Sequence, residues 1–248
     1  MNNRNIYCII LCFFLTSGYT QLPLVSKQKI DFSNAVTSIT SGNWSNPAIW
    51  SSGIVPSAQT DVVISDNHTV YIDIQGSTSG VIVELCRNLQ IKASAILHMG
   101  HNSSNFAKDL KINGSILCNG TFASGRNQAD GTNGDGSIYK VNSRIFLNLM
   151  QDTTYISGSG FFNPRSLSIS SNMVNKYLII DLYNTVIDEN FAIKSDQRVG
   201  VIIDHFAYIK IKGVLGLTGS DYQFSALSAK SDLTIHGIVV TDDVSLFT

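Results

Sequence analysis

The chain has 248 residues, a net charge of −1 and only 14% charged residues, which excludes the basic footprint of a nucleic-acid binder and the charge density of a disordered tail. With 44% hydrophobic residues over this length, it builds a core without needing disulfide staples. Electrostatics alone names no partner.

At the start, Arg4 precedes the apolar run from Ile6 to Leu15, and small or polar residues follow at Thr16, Ser17, Gly18 and Thr20. This is a secretory signal pattern, and its apolar run is far shorter than the roughly 20 residues of a membrane-spanning helix. Residues 1–20 are therefore expected to direct export, with 21–40 as a leader and no transmembrane helix to follow. Cys8 and Cys12 leave with the signal, so Cys86 and Cys118 are the cysteines carried into an oxidising compartment.

The segment from Ser41 to Asp73 places Trp44 and Trp50 close together in a Ser/Asn/Pro-rich stretch, and then alternates apolar residues at Val62, Ile64, Val70 and Ile72. Two readings compete for the tryptophans. As a cap they cover the exposed edge and apolar interior of a first coil, and as a ligand platform one of them stacks on a sugar ring.

From Val62 onward the chain is rich in Val, Ile, Leu, Ser, Asn and Gly, contains few prolines and shows no long 3.6-residue periodicity, so it reads as all-β. Four segments share one pattern: NLQIKASAIL from Asn88, DLKINGSILC from Asp109, YIKIKGVLGL from Tyr208 and DLTIHGIVVT from Asp232. Weaker copies at Ser166 and Asn190 complete the anchors Leu89, Leu110, Leu167, Phe191, Ile209 and Leu233, which recur at similar short intervals except across the long gap from Leu110 to Leu167. A further copy between Ile145 and Leu149 divides that gap, and the Gly/Asn/Asp stretch Ser124–Ser137 is its inserted loop. Such a repeat predicts a parallel β-helix, a solenoid in which each coil returns to the same place one strand spacing higher. In the simplest register Leu89, Ile91, Ala93, Ala95 and Leu97 stack under Leu110, Ile112, Gly114, Ile116 and Cys118. Cys118 then points inward in a different column from Cys86, which predicts buried free thiols rather than a bridge.

Trp44, Trp50, Gly53, Pro56, Asp61, Val62, Ile64, His68, Val70 and Asp73, followed by Leu89, Ile91, Leu110, Ile112 and Gly114, resemble the G-eight (eight-glycine) domain of exported Bacteroidetes-type proteins. The polyductin/fibrocystin family and cell-surface hyaluronan-degrading proteins carry related domains. The likeness runs from about Ser41 to Phe122, giving a G-eight-like segment at 41–122 and a continuation of the β-helix over 123–248. Thr60 and Asn67 stand where the family usually has glycine, and asparagine tolerates a positive φ. The resemblance implies a right-handed parallel β-helix that binds or processes extracellular glycans, and it supplies no catalytic residue to carry over.

Candidate chemistry is sparse. His98 and His101 in HMGH lack a third metal ligand nearby in sequence. Asp130, Asn133 and Asp135 loosely resemble a calcium loop, but lack its regular frame and closing Glu. Asp204 with His205, and Asp188 with Glu189, are neighbours that a strand would send to opposite faces. The sequons at Asn43, Asn67, Asn102, Asn113 and Asn119 are about as many as chance gives in so Asn/Ser/Thr-rich a chain.

The expected function is that of a secreted or cell-surface protein, leaning non-enzymatic and without a cofactor, that contacts extracellular polysaccharide or a surface protein, with adhesion as one form of this. A polysaccharide lyase or glycoside hydrolase, or the front part of one, is the alternative. Residues 232–248 repeat the rung pattern up to the last residue, so the array is expected to continue beyond them or to self-associate through that coil.

Overall fold

The computed structural model describes residues 30–73, 82–99, 108–124, 143–187, 191–193, 199–216 and 232–245. The expected signal segment, His101, the loop residues Asp130, Asn133 and Asp135, and the pair Asp188 and Glu189 lie outside the described residues.

Alternating apolar residues broken by Asn, Asp, Ser and Gly make short strands, and the strands wind upward coil by coil. In chain order the coils are β1 (Val36–Thr37) with β2 (Gly42–Asn43); β3 (Val62–Ile64), β4 (Thr69–Tyr71) and β5 (Ile82–Cys86); β6 (Leu89–Ile91), β7 (Ile96–Met99) and β8 (Lys108–Ile112); and β9 (Ile116–Cys118), β10 (Thr121–Ser124) and β11 (Ser143–Asn148). Above these come β12 (Thr153–Asn163) with β13 (Ser166–Ser170), β14 (Lys176–Ile187) with β15 (Phe191–Ile193), β16 (Val199–Ile203) with β17 (Tyr208–Gly216), and β18 (Asp232–Ile235) with β19 (Ile238–Ser245). The pairings between the described strands are parallel, so the chain is an all-β parallel β-solenoid.

The strands fall into three stacks. In the first, Val36, Val62, Leu89, Ile116, Ile156, Ile180, Ile203 and Ile235 follow one another in register from coil to coil. In the second the register runs Gly42, Val70, Leu97, Phe122, Phe162, Thr185, Ile209, Val239. The third takes Leu110, Ile145, Leu167 and Phe191. Nearly every apolar side chain in these columns is buried, and together they form one continuous core. In the last described coil Leu233 and Val239 pack partly against that core, while Ile235 is exposed.

This register corrects the simplest reading of the repeat. Leu89 stacks on Ile116, further along the chain, and not on Leu110; Leu97 stacks on Phe122, and Cys118 on Ile91. The error has a physical cause: each coil has three walls that bury the same apolar-x-apolar pattern, so the step from Leu89 to Leu110 crosses from one wall to another. Leu110, Leu167 and Phe191 do share a wall, and Ile145 fills the gap between them as the divided spacing required. Ile209 and Leu233 belong to the other two walls.

Cys86 and Cys118 are free and buried, Cys86 beside Ile112 in the third stack and Cys118 beside Ile91 in the first. Burial pushes the Cys118 thiol up to about 12 and raises that of Cys86 further, so neither offers a thiolate nucleophile near neutral pH.

Ile91→Asp and Ile156→Asp are expected to destabilise the fold by roughly 4 kcal/mol or more, because each places an unpaired charge in a dry column. The exposed Lys92→Asp and Lys210→Asp should shift the denaturant midpoint only slightly. Equal shifts for the two sets would refute the register.

Candidate functional site

The two tryptophans are placed by a short hairpin-like segment at the first coil. Asn46 caps a 3-10 turn, Pro47–Ile49, by accepting the Ala48 N–H on its side-chain oxygen at 3.0 Å. The chain then runs back antiparallel to β1, with Ser38 opposite Trp50, Ile39 N–H donating to Ile49 O and Ser51 N–H to Thr37 O. Trp44 and Trp50 are 0% and 1% exposed and meet edge to face, with ring centroids 4.9 Å apart. The Trp50 indole N–H donates to Trp44 O at 2.9 Å. Neither ring is open to a sugar in this structure, and both belong to the buried core. β1 (Val36–Thr37) is the first strand among the described residues.

Asp73, His68 and Gly53 hold corners of the early coils. Asp73 accepts the Ser45 N–H at 2.9 Å and the Ser45 hydroxyl, tying the tryptophan segment to the next coil. The Ser38 hydroxyl lies 2.8 Å from His68 Nδ1 and accepts the Ser65 N–H at 2.9 Å, and Ser65 Oγ donates back to Ser38 O at 2.7 Å. His68 is thus committed to a turn. Gly53 sits at φ 67°, a left-handed conformation that glycine enters without strain, and Asn67 occupies the same region at φ 62°.

At a second corner Asp61, Asn88 and Ser115 occupy the position just before three successive residues of one column. Asn88 donates its amide to Asp61 Oδ1 at 2.9 Å and accepts the Ser115 N–H at 2.8 Å, and Ser115 Oγ accepts the Tyr155 N–H at 3.0 Å. Arg87 donates through both Nε and Nη2 to Asp61. Gly114 makes room for this ladder, since a Cβ there would lie 2.4 Å from Asn88 Oδ1. Burial works against the Asp61 charge, but the bonds from Arg87 and Asn88 outweigh it and hold the carboxyl below the usual aspartate range.

The corner between the first and second walls changes character along the solenoid. On the early coils it carries Asp66, Asn67, Ser94, Asn119 and Ser159, bonded to one another and to backbone: Ser94 to Asp66, Asn67 N–H to Ser94 Oγ at 3.0 Å, Ser159 N–H to Asn119 Oδ1 at 3.1 Å. On the later coils it carries Tyr183, His205, Phe206 and His236. Phe206 is 75% exposed and Tyr183 66%. Tyr183 lies 6.0 Å from the half-buried Tyr208, and Phe161 on the preceding coil is also exposed.

As strand neighbours Asp204 and His205 would point apart. They sit instead in the turn after β16, where strand alternation does not apply. Asp204 Oδ1 accepts the His205 N–H at 2.7 Å and faces its Nδ1 at 3.1 Å. His98 lies on β7 beside Tyr71, ring centroids 5.5 Å apart. Among the described residues, no three His, Cys, Asp or Glu side chains are grouped so as to hold a metal ion, and no helix is long and apolar enough to cross a membrane.

The sequence alone does not single out Tyr183, Phe206, Tyr208 and His236, because side chains at an outward-facing corner carry no periodic signal. Aligning IIDHFAY on TIHGI by Ile203 and Ile235 would have found the last two turns together. Fold and corner define a parallel β-solenoid whose later coils expose Tyr183 and Phe206 at one corner. No family model, curated protein or solved structure matches this chain.

Because its folded pKa is depressed, the Asp61 carboxylate stabilises the fold above the ordinary aspartate value of about 3.8, and that contribution is lost as pH falls through the lower folded value. Asp61→Asn is therefore expected to lower the urea midpoint at neutral pH and to flatten the loss of stability below about pH 4. An unchanged pH profile would remove the Asp61 ladder from the acid response.

Proposed function

We propose that this protein is exported and presents the aromatic corner of its β-solenoid to an extracellular glycan, as a non-enzymatic binding or adhesion protein of the secreted or cell-surface kind. The observation that carries this reading is the exposure of Tyr183 and Phe206 on the later coils, with Tyr208 6.0 Å from Tyr183 and the exposed Phe161 one coil below. The C–H face of a pyranose ring packs on an aromatic π-face, and a tyrosine hydroxyl at the rim takes a hydrogen bond that orients the sugar. Successive coils repeat about 4.8 Å apart, so the exposed aromatics offer stacking positions along the solenoid axis, which suits a chain better than a single sugar. The signal pattern of residues 1–20 and the G-eight likeness of 41–122 support an extracellular setting.

The hydrolase or lyase alternative draws on the fold alone, and the exposed aromatics do not favour it. Catalysis of either kind calls for paired carboxylates or a cationic cluster facing the sugar. On the described corner Asp204 is engaged with His205.

A glycan-array screen combined with reducing-end and unsaturated-product assays tests the proposal. Binding without product is expected. Tyr183→Ala and Phe206→Ala should each weaken binding about tenfold, the order of one lost aromatic contact, with the melting temperature nearly unchanged. Trp50→Phe should do the reverse, lowering stability by roughly 1 kcal/mol through loss of its buried hydrogen bond while leaving glycan binding intact. Sugar turnover, or binding indifferent to the Tyr183 and Phe206 changes, would overturn it.

A further inference from the structure

The same edge of the solenoid brings two imidazoles together. Ile203 and Ile235 pair in register, and the His236 and Gly237 N–H groups both donate to Ile203 O, at 2.8 and 3.2 Å. The turn after β18 is thereby laid on the turn at 204–207. Gly237 makes the contact close: a Cβ there would lie 2.4 Å from Asp204 O and 2.5 Å from Ala207 O. As a result the rings of His205 and His236 stack with centroids 4.7 Å apart and planes within 6° of parallel, and both side chains are exposed to water.

We propose that His205 and His236 form a surface site for a divalent transition-metal ion, copper(II) above all, taking one nitrogen from each ring. Asp204 Oδ1 at 3.1 Å from His205 Nδ1 keeps the proton on that nitrogen and leaves Nε2 as the electron-pair donor, the arrangement by which carboxylates orient metal-binding histidines. His236 lies on the adjacent coil, and binding requires both exposed rings to turn out of the parallel stack so that its nitrogen and His205 Nε2 converge on one ion. No third ligand residue joins them among the described residues, so Asp204 acts from behind His205 and water completes the coordination. Two imidazoles and water favour copper(II), nickel(II) and zinc over the oxygen-seeking magnesium and calcium, and copper(II) heads that order. Bound there, the ion clips the last two described coils together. The site stands independently of the glycan reading.

The test is calorimetric titration of copper(II) into the untagged, metal-free chain, with electron paramagnetic resonance of the bound ion. One tightly bound copper with a two-nitrogen signature is expected, along with a rise in melting temperature that grows with copper concentration. His205→Gln and His236→Gln should each weaken binding by more than about tenfold, and Asp204→Asn by roughly tenfold through loss of orientation. His98→Gln should leave binding unchanged. Both positions are exposed, so the two glutamine variants should keep the parent circular-dichroism spectrum and melting temperature without metal. Copper affinity unchanged in His205→Gln and His236→Gln, or calcium displacing copper at equal concentration, would overturn the site.

Discussion

The structure depends on one constraint: every strand draws its backbone hydrogen bonds from the coil below and the coil above. A parallel stack therefore holds together only if each coil returns to the same register. The column from Val36 through Ile116 to Ile235 records that return on the first wall, and the column from Val70 through Phe122 to Val239 records it on the second. A slip of one residue would turn each inner side chain outward and an outer one in. The apolar columns consequently serve two purposes, as the hydrophobic driving force and as the device that fixes register.

Corners carry the rest of the specification. Coil lengths vary, the coil from Ile116 to Ile156 being much longer than those from Leu89 to Ile116 and from Ile156 to Ile180, yet the columns stay aligned. The variation is taken up in the connections, while short polar ladders pin the turns. Asp61, Asn88 and Ser115 do this at one corner, and Ser38, Ser65 and His68 at another. Buried polar groups in such turns need partners, and the nearest are the equivalent turns one coil away. Asp61, Asn88, Ser115, Ser38, Ser65 and His68 are in this way used up by architecture.

The corner between the first and second walls changes along the solenoid. Where the early coils place Asp66, Asn67, Ser94 and Asn119 in mutual hydrogen bonds, the later ones place Tyr183, His205, Phe206 and His236, side chains that hold no corner together. They leave apolar surface and imidazole rings open to water. The stacked imidazoles and the exposed aromatics both follow from the close overlay of consecutive turns.

The sequence by itself determined the class of fold, because strand alternation and a recurring apolar pattern are local properties that survive without knowing which coil lies next to which. It also determined the burial of Cys86 and Cys118 and the fitness of Asn67 for a left-handed turn, since both follow from residue type in its immediate setting. Tertiary structure alone decided the register. Three walls bury the same pattern, so Leu110 imitates the partner of Leu89 although Ile116 is the true one. It also decided the site: Trp44 and Trp50, prominent in the sequence, turn inward into the core, while His205 and His236, distant along the chain and unremarked as a pair, meet because pairing of Ile203 with Ile235 stacks their turns. Adjacency between coils is a property of the wound chain, and no local pattern encodes it.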